Sequence, residues 1–407
     1  MFELLDQRIF DASPAPGIGV LGGVFAADAA GRSLVRCHWL LSRSDTADMA
    51  WLRRSDDGGA TWSEPAPWPT RFDDPHGTGR RHYRGGYFDP ATGRYLTLWT
   101  QGVLPTDHPL EGMKRWTLHY AVSHDAGRSD AVSEQIIHQG GEYDAVHHMP
   151  GITVGSNALM SGDLGERPIT RGDGVILLPA QCSLTGPDGQ YHNPGGGYTY
   201  TAALVLMGRW QRDGRLAWTC SRRIAGDPAR STRGMIEPTI ATLQGDRLLL
   251  IMRGSNDRRP ELPGYRWQAI SHDGGQNWTA PEPWTFDDGE PFFSPSSCSL
   301  LLPHSSGRLL WLGNISPAQP VGNGPRYPLV IGEVDRQSGA LRRGSIVAID
   351  DRQPGESPRL SLSNFQAREE PATGDVLVYV PRFYASQVEG QPTDYTAHLW
   401  RYRVAVR

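Results

Sequence analysis

Two residues of opposite charge bracket a hairpin in the middle of this 407-residue chain. Glu237 opens the stretch and Arg253 closes it. Residues 240–243 read as a strand, Gly245 and Asp246 as a tight turn, and residues 248–252 as a second, buried strand. The hairpin returns Arg253 to the edge at which Glu237 began. A carboxylate placed there can move a proton, and a guanidinium can hold an anion through charge-assisted bonds. The plainer alternative is a structural ion pair.

Further groups able to do chemistry sit in segments rich in His, Arg, Tyr and Asp. Asp45 and Asp48 lie in residues 42–48. Residues 80–84 read Arg-Arg-His-Tyr-Arg and include His82, Tyr83 and Arg84. Residues 143–150 hold His147 and His148, and residues 189–193 hold Tyr191 and His192. Arg326 lies between Pro325 and Tyr327. His147 and His148 read equally well as surface loop residues. His82 and Arg84 could instead cap a strand edge or pair with Asp73 or Asp74, and Asp45 is one loop aspartate among several. No H-x-H or H-E-x-x-H spacing occurs, so neither a metal nor any other cofactor is assigned.

The elements that position these groups repeat along the chain. A strand, a glycine turn and an apolar strand recur around Gly31, Gly93, Gly174, Gly245, Gly307 and Gly374. The turn glycines lie roughly 60 to 80 residues apart, a spacing that fits propeller blades. Each pair is followed by a loop and another apolar run, at residues 49–54, 116–122, 201–207, 266–270, 328–334 and 397–404. These copies predict an all-β fold, a six-bladed β-propeller of four-stranded antiparallel blades over residues 1–407. Residues 140–165 are left unassigned and leave room for a seventh blade. Residues 4–10 are expected to pair with the last blade and close the ring, which removes an exposed sheet edge.

Composition agrees with one large all-β unit. There are 48 glycines, 32 prolines and 13 tryptophans, and no long amphipathic helix is visible. A net charge of −4 with both signs scattered gives no case for nucleic acid or an anionic membrane surface. No apolar run is long enough for a membrane-spanning helix. Cys37, Cys182, Cys220 and Cys298 lie far apart and read as free, mostly buried thiols. Together with an N-terminus that shows no signal peptide, they lead to the expectation of a cytoplasmic protein.

A second repeat is more specific. Ser55-Asp56-Asp57-Gly58-Gly59-Ala60-Thr61-Trp62 fits the pattern S-x-D-x-G-x-T-W. Ser271-His272-Asp273-Gly274-Gly275-Gln276-Asn277-Trp278 fits with Asn in place of Thr. Residues 123–129 form a degraded copy around Asp125, with Asp130 where Trp would stand. The carboxylate can accept backbone N–H bonds inside a turn, Gly supplies the positive φ, and Trp packs between strands. These octapeptides resemble the Asp boxes of the sialidase (neuraminidase) superfamily. In a four-stranded blade the 1–2 and 3–4 turns share one face. The 2–3 loops and the blade connections share the other, which is expected to be functional.

The resemblance then extends to single residues. Glu237 and Arg253 match a Glu that opens one inner strand of sialidases and an Arg that closes the next strand. Arg326 resembles a later arginine of the family, and Asp45 is the nearest match to its acid/base aspartate. Two departures stand out. The family carries an arginine on the first inner strand, where this chain reads Gly-Val-Leu-Gly-Gly-Val-Phe at residues 19–25. It also carries a nucleophilic tyrosine on the last inner strand, where this chain reads Leu-Ser-Leu-Ser-Asn-Phe-Gln at residues 360–366.

Sialic acid bears a carboxylate on its anomeric carbon, and a Tyr nucleophile avoids the repulsion an anionic one would meet. With two matched arginines and no such Tyr, three readings follow. The first is hydrolysis of a non-reducing-end acidic sugar by direct water attack, with Asp45 as acid and Glu237 as base. The second is elimination on a uronic acid glycoside. There the arginines would neutralise the carboxylate, and His147, His148 or His82 would abstract the proton with help from Tyr83 or Tyr191. The third is a sugar-binding propeller without catalysis.

Overall fold

The computed structural model describes residues 1–152 and 159–407. Six antiparallel sheets follow one another along the chain and form the blades of a ring. The first blade is Gly19–Ala26, Leu34–Leu41, Met49–Ser55 and Ala66–Trp68. The fourth is Ile236–Thr242, Leu248–Arg253, Arg266–Ser271 and Glu282–Pro283, and the fifth is Leu300–Pro303, Leu309–Asn314, Leu329–Val334 and Val347–Asp350. In the sixth, Gln366–Glu370, Asp375–Pro381 and Leu399–Val406 are completed on the outside by Phe2–Asp11. The ring therefore closes between the two ends of the chain, as residues 4–10 suggested.

Two blades depart from the simple repeat. The second carries an extra strand, Arg71–Asp74, folded onto its long inner strand Gly77–Asp89. In the third, the inner strand is split. Leu159–Met160 and Ile169–Thr170 both pair with Ile176–Thr185, and residues 161–168 bulge out between them. No seventh sheet forms among the described residues. The stretch 140–165 supplies the first half of that split strand and a loop, while residues 153–158 within it lie outside the described part.

The core explains why the blade strands read as continuous apolar runs. Each blade packs face to face with both neighbours, so both faces of its inner strands are buried. All six residues of Leu248–Arg253 are buried, for example. Separate apolar clusters fill the gaps between blades. Leu178, Leu204 and Trp218 of the third blade pack on Leu96, Leu118 and Tyr120 of the second. Trp284 and Leu249 of the fourth blade pack on Trp311 and Leu301 of the fifth.

The Asp boxes lie in the 3–4 turns. The Asp57 carboxylate accepts the Thr61 backbone N–H at 2.9 Å, and Asp273 accepts that of Asn277 at 2.9 Å. The degraded copy keeps the same bonds, since Asp125 accepts the Ser129 N–H at 2.8 Å. There Ala126 adopts φ 57°, a left-handed turn position held by glycine in the other two copies. Trp62 and Trp278 are only half-buried, and the Trp278 indole N–H donates to the Gly275 carbonyl at 3.0 Å. Ser271 pairs with Leu248 and Arg266 with Arg253, so Asp273 and Arg253 lie at opposite ends of the fourth blade.

Candidate functional site

On the face away from the Asp boxes, the blade ends enclose a cavity of about 170 Å³. Glu237 and Arg253 reach it from the fourth blade, Asp45 from the 2–3 loop of the first, and Arg326 from that of the fifth. His82 and Arg84 come from the inner strand of the second blade.

Glu237 is aimed by local backbone distortion. A bulge interrupts pairing between Ile236 and Thr239, and Glu237 itself takes φ 45°. Its N–H donates to Gln181 Oε1 of the neighbouring blade at 2.7 Å, which helps to hold this conformation. Seven non-glycine residues among those described have positive φ, and four of them line this cavity: Asp45, Glu237, Asn364 and Tyr384. Such conformations cost energy and persist where the surroundings enforce them, which is typical of functional sites.

The charges are arranged unequally. Arg253 and Glu237 form an ion pair at 3.0 Å, with their side chains 9% and 14% exposed. Arg253 also donates to the Ser296 carbonyl at 3.0 Å, and Arg326 donates to the same oxygen at 2.7 Å. One backbone carbonyl thus gathers two guanidinium groups. Burial works against the charge on Arg253 as the largest single influence, but Glu237, with Tyr198, Cys298 and Glu166 behind it, together raise the pKa. Arg326 is lowered, by burial first and then by Arg253 beside it. Arg84 donates to Thr100 Oγ1 at 3.2 Å and does not pair with Asp73 or Asp74. Among the described residues neither Arg326 nor Arg84 forms an ion pair. Both are half-buried cations on the wall of the cavity, with Asp163 and Glu166 near Arg84 and Glu237 and Asp45 near Arg326 but no carboxylate of the described residues at ion-pair distance.

His82 stacks on Trp116, with ring centroids 4.9 Å apart. Burial, then Arg84 and Arg80, hold its pKa well below the usual histidine range, so it is neutral. Asp45 is exposed on its loop and accepts a hydrogen bond from Ser44 at 2.7 Å.

Several residues expected at the site lie elsewhere. Tyr83 is fully buried between blades, against Phe25 and Trp68. Strand side chains alternate, so a residue between His82 and Arg84 faces away from the cavity they share. His147 and His148 do not line the cavity. Their loop is tied to the outer strands, since Gln135 donates to the Ala145 carbonyl and His138 to that of His148. His148 is buried there, and burial pushes its pKa down to about 4. Tyr191 is also outside, its hydroxyl bonded to the backbone of Tyr200, and His192 is exposed on the short strand Tyr191–His192.

Other cavity residues were not singled out by sequence. The 2–3 loop of the sixth blade supplies Phe383, Tyr384 and Tyr395, whose rings pack together at 5.9 and 5.7 Å. Tyr198 comes from the 2–3 loop of the third blade and lies under the Arg233 guanidinium at 4.1 Å. Both loops belong to the functional face by blade topology, which is the signal that could have found them. The segment between the halves of the split strand contributes Gly162 and Asp163, and Asn364 reaches the cavity from just ahead of the last inner strand, bonded to Asp163. The first inner strand contributes Leu21 and no arginine. The inner strands thus bring neither an arginine at the first position nor a tyrosine at the last, while Tyr198, Tyr384 and Tyr395 reach the cavity from loops. Among the described residues, no group of three or more His, Cys, Asp or Glu side chains is arranged to hold a metal.

Comparison with known proteins bears on this geometry. A comparison with curated protein sequences finds no match. Solved structures do resemble the fold. A protein of unknown function from Dyadobacter fermentans shares 15% identity at a TM-score of 0.62, over 100% of this chain and 99% of that one. The NanB sialidase of Streptococcus pneumoniae shares 12% at 0.59, over 98% and 70%. The intramolecular trans-sialidase of Ruminococcus gnavus shares 12% at 0.57, over 98% and 96%. At these identities the likeness is one of fold. The sequence model of the BNR repeat-like domain matches residues 111–350, more than half of the chain. With its Asp boxes and six blades, the chain belongs to the sialidase/BNR-repeat superfamily.

Proposed function

We propose that this protein is a glycoside hydrolase acting on a non-reducing-end carboxylated sugar. The observation that carries this reading is the pair of half-buried cations, Arg326 and Arg84, that line the cavity beside the Arg253–Glu237 pair without an ion-pair partner among the described residues. A ligand carboxylate would complete them. Arginine suits this task because its planar fork matches a carboxylate. In this proposal Arg84 takes the part of the arginine missing from the first inner strand.

Trp39 of the first blade also lines the cavity, and with Phe383, Tyr384 and Tyr395 it would pack against the sugar and exclude water. Asp45 would donate its proton to the departing glycosidic oxygen as the bond to the anomeric carbon breaks. Glu237, paired with Arg253, would take a proton from the attacking water. Neighbouring folds include sialidases, and one is described in complex with oseltamivir carboxylate. That is consistent with a carboxylated sugar and does not identify which one.

A second reading, elimination on a uronoside, keeps one observation in its favour. His82 is neutral and lines the cavity next to Arg84, as a proton-abstracting base would. His147 and His148 lose that role by their position. The test is a panel of sialosides, uronosides and their neutral parent glycosides. Turnover confined to acidic glycosides supports the proposal, whereas turnover of the neutral ones alone, or of none, removes it.

A further inference from the structure

The bulge in the third blade places a second buried carboxyl against Glu237. A side chain on Gly162 would meet Glu166 Oε1 at 1.8 Å on one side and Glu237 Cγ at 2.3 Å on the other. Only a residue without a β-carbon lets the two acids close over this point. Glu166 is 1% exposed. Its Oε2 accepts the Gly162 N–H, while its Oε1 is buried without a hydrogen-bond partner among the described residues. Glu237 is in a matching state, with Oε1 on Arg253 and Oε2 buried without a partner.

We propose that Glu166 and Glu237 share one proton across these two oxygens. Glu166 is the neutral acid and donates to Glu237 Oε2, which makes it a positioning residue for the base. Two carboxylates crowded against one glycine do not both stay ionised, and each has a buried oxygen that lacks a partner unless a proton lies between them. The surrounding charges decide which one keeps the proton. Glu237 has Arg253 in contact and Arg233, Arg266 and Arg326 nearby. Glu166 has Arg84 in its favour, but it faces Glu237 and Asp163 and is enclosed. Burial first, and then Glu237, raise the Glu166 pKa well above the ordinary carboxylate range. Asp163 is also raised, by burial and by Glu237, and is held by the Asn364 amide and the Leu164 N–H.

This inference deepens the role given to Glu237 under the proposed function, yet its physical content does not depend on turnover. When Glu237 takes the proton of water, its O–H bond forms as that of water breaks. The proton on Glu166 stays in place, so the pair passes from one shared proton to two. Glu166 thereby fixes the Glu237 rotamer.

The experiment is infrared difference spectroscopy of the whole protein titrated upward from about pH 5, with unfolding by denaturant at each pH. A buried protonated carboxyl band is expected in the wild type at neutral pH, and it should vanish in Glu166→Gln. The raised pKa also fixes the sign of the stability effect. Stability from this group is complete below the unfolded carboxyl pKa and is lost as pH rises through the folded one. Glu166→Gln should therefore gain on the wild type as pH increases. If that variant fails to fold, Glu237→Gln serves instead. Removing the neighbouring charge should move the band's midpoint to lower pH. The proposal is overturned by a wild type with no protonated carboxyl at neutral pH, or by a band that neither variant alters. A band without turnover of any acidic glycoside would sink the hydrolase reading and leave the shared proton standing.

Discussion

Replacement of Arg253 by lysine separates recognition of a carboxylate from stability. Arg253 uses one N–H on the Ser296 carbonyl and faces Glu237 at 3.0 Å, which leaves further donors of its five for a ligand. Lysine keeps the positive charge, so Glu237 is not left as an uncompensated buried anion, a loss that would cost about 3 to 5 kcal/mol. What lysine cannot reproduce is the planar fork. A charge-assisted hydrogen bond is worth roughly 1.5 to 3 kcal/mol. Its loss weakens binding about 10- to 100-fold, since about 1.4 kcal/mol is tenfold. The assay is affinity for a carboxylated sugar and for its carboxamide, in wild type and Arg253→Lys, with melting temperature as control. The acid should lose that factor and the amide much less. An equal loss for both ligands takes Arg253 out of carboxylate reading, and a wild type that handles them alike refutes it for the whole site.

Two further outcomes follow from the Asp-box face. Trp278 is half-buried with its indole N–H on the Gly275 carbonyl, so Trp278→Ala should lower stability by roughly 1.5 to 3 kcal/mol in denaturant unfolding. That is less than a fully enclosed tryptophan would cost, and binding lost without any change in unfolding would contradict a structural role. The Asp273 carboxylate is pulled down to about 2 by the Asn277 backbone and side-chain amides. A depressed carboxyl contributes stability above its unfolded pKa that disappears as pH falls through the folded value. Asp273→Asn should therefore flatten the loss of stability between pH about 4 and about 2, and an unchanged acid limb would count against it.

The ring was readable because propeller blades leave short-range marks. Glycine turns such as Gly245 and the bonded carboxylates of Asp57 and Asp273 are local, and their spacing alone orders the blades. The candidate site was readable in part, at the ends of one hairpin, on one inner strand and in two of the 2–3 loops. Glu237, Arg253, Arg326, Asp45, His82 and Arg84 all reach one cavity. Loop residues were harder to place. Topology tells which face a loop joins but not its distance from the axis, so His147 and His148 fell at the outer edge. Tyr83 was lost to strand alternation, which the sequence does display. Glu166 and Asp163 gave no local signal. They matter only because the third inner strand breaks at residues 161–168 and a glycine lets Glu237 approach from another blade.

The mass of the product formed from an acidic glycoside tests the central claim most directly. Hydrolysis adds one water across the glycosidic bond and yields the intact acidic sugar, a reaction that needs a proton donor at the leaving oxygen. The account predicts this product from the wild type, with turnover falling about 100-fold or more in Asp45→Asn, in line with loss of general acid catalysis. An unsaturated uronate lacking that water would show elimination instead. Full hydrolysis by Asp45→Asn would remove Asp45 from the chemistry, and either result contradicts the account.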